Sequence, residues 1–447
     1  MPAAGHLIFT GGKVVTPDRV IEGSVEVRDG RIVRAGEFPP DASDGAEVVD
    51  LAGAYLLPGL IDMHINDGVA LLNRISSPAG HADRLEKVSR GLVKLGVTGI
   101  FPATLAAPVE EVTGYLEGMA EFRRRWEQSP MGTELCGALV EGTFMNPVNC
   151  GAHNPAYIFP PDREILDRLL DTGVVRFVNI APEFGDESLE LIEYAAGRGV
   201  VVGAGHCKPT ADQLTKAVEC GLRYFIHLLN GPTGGSTKSF DNGGTLQGCL
   251  RDDRLAVELI VDLVHVDGRV VRDVISRKGA ERVIAISDSM FPTDGPEGEF
   301  EINGILGRID REHNYIYVTG RRDSEGNVRP MPVPEARTCD VSVLYGAIAN
   351  MDDVFTNLVG LLSVELEGNW VRRHPAHPLD EAVRLASVMC STVPSRVSGM
   401  YDGSWGRRVG ALEQGFEADL VVAEVSGGPE AAFKPREVYV AGKKFAG

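Results

Sequence analysis

Val200-Val201-Val202-Gly203-Ala204-Gly205-His206 is an apolar run that closes on a histidine. Ala211–Cys220 follows, with apolar residues at three- and four-residue spacing, and Tyr224-Phe225-Ile226-His227 then closes on a histidine again. The first and third segments read as buried strands and the second as an amphipathic helix. Strand, helix and like strand form a unit of parallel sheet, since a parallel neighbour is reached only by a crossover.

The unit recurs on both sides. Candidate strands are Leu60–His64, Gly99–Thr104, Leu135–Glu141, Val174–Ile180, Val200–His206, Tyr224–His227, Ala256–His265 and Arg282–Asp288. Helical patterns at Asp83–Leu95, Pro161–Leu170 and Leu189–Ala196 lie between them. Eight such units predict an α/β chain with a (β/α)8 TIM barrel. The alternative is a doubly wound open sheet, but no GxGxxG follows the first strand. The two ends differ from this middle. His6–Thr10, Lys13–Val15, Ser24–Val27 and Arg31–Val33 alternate around Gly-rich turns such as Asp29-Gly30, and Asp419–Ala423 and Glu437–Gly442 repeat that style. The expected division is a β-sandwich built from residues 1–58 and 406–447, with the barrel over 59–405.

The net charge of −19 opposes nucleic acid and anionic membranes as partners, and Arg123-Arg124-Arg125 lies in a helical pattern that reads as a solvated face. Seven cysteines form an odd set without a CxxC pair, which predicts a reduced, cytoplasmic chain without disulfides. The opening MPAAGHLIFTGGKVV has no secretory pattern, and no apolar run reaches the ~20 residues of a membrane span.

The strand ends carry the chemistry. In a barrel of this kind they converge on one mouth. His64 and Asn66 close strand one, Glu141 strand three, His206 strand five, His227 strand six and Asp288 strand eight. Carboxylate and imidazole together suit a divalent ion with a position left for water. His6, His81, His313, His374 and His377 lie away from strand ends and read as surface or loop histidines. Cys207 adjoins His206, but neighbours on a strand face opposite ways. Trp126, Trp370 and Trp405 show no spacing of a stacking platform.

Leu57-Pro58-Gly59-Leu60-Ile61-Asp62-Met63-His64 resembles the PGxIDxHxH opening of the amidohydrolase superfamily, and Val409–Val422 resembles its closing segment. Inside, Val140–Phe144 resembles LEGP, Gly151-Ala152-His153-Asn154-Pro155 GAHNP, and Gly203–His206 AGH(S/T). His227–Gly231 resembles HLxNAM, Asp262–Asp267 DGxHVD, and Ser287-Asp288-Ser289 TDA. In order, over nearly the whole chain, this is the pattern of the N-acetylglucosamine-6-phosphate deacetylases.

The resemblance implies that Glu141, His206 and His227 hold the principal metal, with His64 beside it. Zn2+ is expected, or Fe2+ or another divalent ion, at about one per chain. It implies Asp288 as the proton shuttle and His153 as the group that polarises the amide carbonyl. His265, Ala152, Asn230 and Gly231 would hold the amino sugar and its anionic group, in a homodimer.

Departures are also legible. Asn66 stands where the superfamily has a second His, and Thr143 replaces the Pro of LEGP. The loop after His227 lacks the relatives' phosphate-binding Arg and offers Lys238, a point charge without the guanidinium fork, among glycines able to bind an anion. Asn327–Asp340 also departs from its counterpart. Two other readings stay open: an amidohydrolase for a different N-acyl or cyclic amide without phosphate, and a non-catalytic scaffold. Strand four offers no bridging Lys, against the first; retention of Glu141, His206, His227 and Asp288 weighs against the second.

Overall fold

The computed structural model describes residues 5–41, 45–68, 80–231, 242–290, 298–312, 314–323, 325–331 and 343–446. All eight expected barrel strands are present: Leu60–Asn66, Val97–Ala103, Ala138–Phe144, Val175–Ile180, Val201–Ala204, Leu222–Phe225, Ala256–Ile260 and Val283–Ile286. They pair in parallel in sequence order. Asp288 N donates to His64 O at 2.9 Å and Asn66 N to Ser289 O at 2.9 Å, so the ring closes next to the site residues themselves.

The helices form where local chemistry agrees with packing. Ala211–Cys220 starts in a capping box, with Thr210 Oγ1 accepting from Gln213 N and Gln213 Oε1 from Thr210 N. It buries Ala211, Leu214, Ala217 and Val218, the apolar stripe of its sequence, and stops at Gly221. Inside the ring, Ile61, Met63, Phe101, Leu139, Phe177, Tyr224, Ile226, Ile260, Ile284 and Ile286 form a cluster that continues into Val388, Val393 and Val409. The barrel is therefore a filled core, and chemistry is confined to its mouth.

Both termini join one continuous eight-stranded sheet, in which Leu420–Ser426 pairs with Tyr55–Pro58 and, on its other edge, with Ala432–Val440. The sheet has a core of its own, including Phe9, Val25, Leu56, Phe416 and Leu420. Asp29 and Gly30 both have positive φ in the tight turn between Val20–Arg28 and Arg31–Gly36, as the dipeptide predicts.

One element was not expected. Gly298–Ile302, Ile305–Asp310, Tyr315–Arg322 and Val328–Pro330 form a separate antiparallel sheet after strand eight. Among the described residues no helix is long and apolar enough to cross a membrane. Lys238, His313 and Cys339 lie outside the described residues.

The sheet and barrel are tied by Arg407, which reaches Glu134 at 2.7 Å and also Asp419. Both carboxylates are buried. Removing the cation strands two buried charges, so Arg407→Met should lose about 3–5 kcal/mol and lower the urea midpoint clearly. A midpoint equal to that of the parent protein would show that this pairing does not hold the two parts together.

Candidate metal centre and catalytic mouth

Glu141 is the centre of the mouth. It sits within strand three, not at its end, and is 2% exposed. Thr104 Oγ1 pins its backbone, donating to Glu141 O at 2.8 Å and accepting from Glu141 N at 3.1 Å. The next residue has to be glycine: Gly142 has φ 91°, and a Cβ there would meet Ala106 N at 2.3 Å.

Four imidazoles surround this carboxylate. Oε1 is 3.1 Å from His227 Nε2 and 3.4 Å from His206 Nε2. Oε2 is 3.3 Å from His64 Nε2 and 3.8 Å from His153 Nε2. Two sets, His64/Glu141/His227 and Glu141/His153/His206, each bring their ligand atoms within 4.8 Å of one another. The sequence-derived metal residues thus converge from strands one, three, five and six.

The far ring nitrogens separate these histidines into two kinds. His64 Nδ1 faces Glu258 Oε2 at 2.9 Å, His206 Nδ1 faces Asn149 O at 2.9 Å, and His227 Nδ1 faces Asn230 O at 3.2 Å. A carboxylate or carbonyl oxygen only accepts, so each Nδ1 carries a hydrogen, and the ring, when neutral, has its Nε2 lone pair free for an ion beside Glu141. That is the arrangement of metal-ligating histidines. His153 is reversed. Its Nδ1 accepts from Ala106 N at 3.1 Å, so a neutral ring carries its hydrogen on Nε2, as a donor into the mouth. Of the four, His64, His206 and His227 fit a divalent cation; His153 fits an electrophile.

Without an ion, protons take its place. Burial opposes protonation of His64 and His227, but Glu141 outweighs it, joined by Glu258 at His64, and both pKa values are raised. A bound cation would displace protons from these rings. Burial, with the neighbouring rings, pulls the His153 pKa down to about 3, although Glu141 opposes this. Burial alone would raise the Glu141 carboxyl, but His64, His206 and His227 outweigh it and hold it well below the usual range.

Three of the expected residues stand in a costly backbone conformation. His206, His227 and Asp288 have φ of 49°, 27° and 49° and lie two residues beyond their strands. Non-glycine residues there cost roughly 1–3 kcal/mol each and cluster at functional sites. At each of these residues the positive φ ends the strand run and turns the chain at the mouth.

Asp288 Oδ1 lies 3.6 Å from His64 Nε2 and accepts from Asn66 Nδ2 at 2.6 Å. Asn66 Nδ2 also faces Asp288 O at 3.2 Å. Both partners are acceptors, which fixes the amide with its nitrogen toward Asp288. Asn66 orients this aspartate.

His265 lies five residues beyond strand seven, with Nδ1 2.6 Å from Asp262 Oδ2. Burial opposes protonation of this ring, yet Asp262 outweighs it and the pKa is raised. Asn230 Nδ2 is buried without a hydrogen-bond partner among the described residues, and Gly231 packs on the His206 ring. Ala152 is part of the loop between Glu141 and His153 and packs against the unexpected antiparallel sheet. That sheet braces the same loop. Asn154 Nδ2 donates to Asn303 O at 3.0 Å, Asn303 Nδ2 to Ala106 O at 3.3 Å, and Arg321 donates to Gly151 O.

Some readings need correction. His374 does lie in a loop but is buried and bonded to Asp273 at 2.8 Å, and His81 opens the helix His81–Leu92 and reaches the buried Asp67 at 3.0 Å; neither is a free surface residue. Both anchor loops, which is why spacing relative to strand ends did not find them. Cys207 packs into the cluster between strands and helices, away from the metal sets, as expected. Glu258 was missed. A lone carboxylate in Ala256-Val257-Glu258-Leu259-Ile260 was the available signal.

No family model matches the chain. A curated N-acetylglucosamine-6-phosphate deacetylase of Bacillus subtilis is 28% identical over 304 residues, 67% of this chain and 75% of the relative. An N-acetylgalactosamine-6-phosphate deacetylase of Escherichia coli O157:H7 is 27% identical over 63% of this chain and 70% of its own length. In three dimensions, an N-acetyl-D-glucosamine-6-phosphate deacetylase variant of Mycobacterium smegmatis, solved with N-acetyl-D-glucosamine-6-phosphate, matches with TM-score 0.75 at 25% identity, covering 99% of this chain and 100% of that one.

By its relatives and its fold the chain is a hydrolase of the amidohydrolase type. More narrowly, most of the curated relatives, and the structural neighbours with the highest TM-scores, are N-acetylglucosamine-6-phosphate deacetylases, a family of the amidohydrolase superfamily.

The His153 tautomer is directly measurable. In 15N-histidine NMR, His153 should carry its proton on Nε2 and stay neutral down to pH 5 or below, given its depressed pKa of about 3. A ring that protonates near its ordinary value, or carries its hydrogen on Nδ1, would remove it from the electrophile role.

Proposed function

We propose that this chain removes the N-acetyl group from an N-acetylhexosamine 6-phosphate, using one divalent ion held by Glu141, His206 and His227 with His64 beside it. The observation that carries this reading is the opposed pattern of ring partners. Oxygen acceptors stand behind Nδ1 of His64, His206 and His227, which leaves their Nε2 for an ion beside Glu141. A backbone N–H stands behind Nδ1 of His153, which leaves its Nε2 as a hydrogen donor. The cation, Zn2+ by donor chemistry, would polarise the amide and make water nucleophilic near neutral pH.

The chain's own groups supply the rest. Asp288 accepts a proton from the attacking water through the carboxylate oxygen that Asn66 leaves free, and delivers it to the amide nitrogen as the C–N bond breaks. His153 donates from Nε2 to the carbonyl oxygen as negative charge grows there. The water's second hydrogen stays on the new carboxyl group, so acetic acid and the free amine form, and transfer of that proton to the amine or to solvent leaves acetate. His265, Asn230 and the backbone at Ala152 and Gly231 receive the sugar. The imidazolium of His265, favoured by Asp262, faces the anionic group, with Lys238 as a further cation. Relatives acting on both gluco and galacto substrates support the hexosamine class without selecting its epimer. A cytoplasmic homodimer belongs to the same reading, supported by the resemblance and by described cysteines that are all unpaired.

Asp288→Asn should keep its metal and lose about 10²-fold or more in kcat, the range for general acid–base catalysis. Near-normal turnover in a metal-replete variant would remove Asp288 from the mechanism. Substrate charge is tested with N-acetylhexosamines, with and without 6-phosphate, assayed for free amine. The phosphorylated forms should lead in kcat/KM, and KM for them should rise as pH climbs through the His265 pKa. In Asp262→Asn, whose loss lowers that pKa, the rise should begin at lower pH. Equal rates on neutral and phosphorylated sugars would favour an amidohydrolase for a different, uncharged N-acyl substrate.

A further inference from the structure

Glu258 lies wholly buried in strand seven, inside the ring, and the mechanism above gives it no part. An ionisable side chain at that depth is expensive unless partners offset its lost hydration. Its partners are two ligands of the candidate centre. Oε2 faces His64 Nδ1 at 2.9 Å and accepts from His227 N at 3.2 Å. Strand one presents His64, the turn after strand six presents His227, and one oxygen of strand seven touches both.

Each contact fixes something the ligand does not fix by itself. His64 is an imidazole with no exposed surface, and its ring could be placed either way round. A carboxylate against Nδ1 keeps the hydrogen there and leaves Nε2 toward Glu141 Oε2 at 3.3 Å and Asp288 Oδ1 at 3.6 Å. His227 has a φ of 27°, a conformation that L-residues avoid. The bond from its N–H to Glu258 helps to hold that turn, and the turn points Nε2 at Glu141 Oε1.

We propose that Glu258 is a positioning residue of the metal centre: it sets the tautomer and direction of His64 and the backbone of His227, and so registers two ligands from different strands against Glu141. This rests on the metal reading given above. Glu258 stands behind His64 and His227 and acts through them.

Two variants test it. Glu258→Gln keeps an oxygen able to accept from both donors, and Glu258→Leu removes the acceptor at similar volume. Affinity for Zn2+ is read by competition with a chromophoric chelator, and the His64 ring is read by 15N-histidine NMR in metal-free protein, at a pH high enough for the ring to be neutral. Glu258→Leu should bind Zn2+ about 10–100-fold more weakly, the usual effect of losing the partner of a ligating histidine. Its His64 should no longer hold a single Nδ1–H tautomer. Glu258→Gln should retain most of the affinity and the Nδ1–H tautomer, with that proton moved upfield because an amide oxygen accepts more weakly than a carboxylate. Wild-type affinity in Glu258→Leu overturns the proposal, as does equal loss in both variants. If the leucine variant does not fold, an unmoved His64 proton in Glu258→Gln overturns it. A wild-type protein that binds no Zn2+ defeats the metal reading instead, and the NMR comparison still decides what Glu258 does to His64.

Discussion

A buried carboxylate faced by four imidazoles is the constraint around which this barrel is arranged. Glu141 is almost without water, and it is tolerable there only because His64, His153, His206 and His227 converge on it. Convergence requires strands one, three, five and six to end at one level, and a closed parallel ring delivers that. The cost appears in the backbone. His206, His227 and Asp288 all leave their strands through positive φ, and Gly142 is forced by the approach of Ala106.

Function follows from what stands behind each ring. Oxygen acceptors behind His64, His206 and His227 make them electron-pair donors toward the centre, and a backbone N–H behind His153 makes it a hydrogen donor. The same residue type takes opposite roles through one hydrogen bond each. The antiparallel sheet after strand eight shares in this: its Asn303 binds Ala106 O, and Ala106 N sets the His153 tautomer.

Much of this was legible in the sequence. Eight apolar runs at helix-separated intervals gave the barrel, and polar residues at their ends gave the mouth. His206, His227, His64, Glu141 and Asp288 were found because each closes an apolar run, and the resemblance of the surrounding motifs implied their roles. Three things were less legible. Glu258 hides in an apolar strand, and no rule of spacing tells a buried partner from a misplaced charge. The separate sheet carried a signal that was passed over: Asn303-Gly304, both at positive φ, form the two-residue turn between Gly298–Ile302 and Ile305–Asp310. His374 and Asp273 are 101 positions apart, so their pairing is a tertiary fact that local pattern does not contain.

The central claim is that Glu141 is the hub of a divalent-metal site. Metal content by plasma mass spectrometry after exhaustive dialysis, in wild type and in Glu141→Gln with its circular dichroism checked, tests it most directly. The account predicts about one tightly held divalent ion per wild-type chain, as for a three-ligand site, and almost none in a folded Glu141→Gln. An ion retained in full by that variant, or a wild-type protein that holds none, would contradict it.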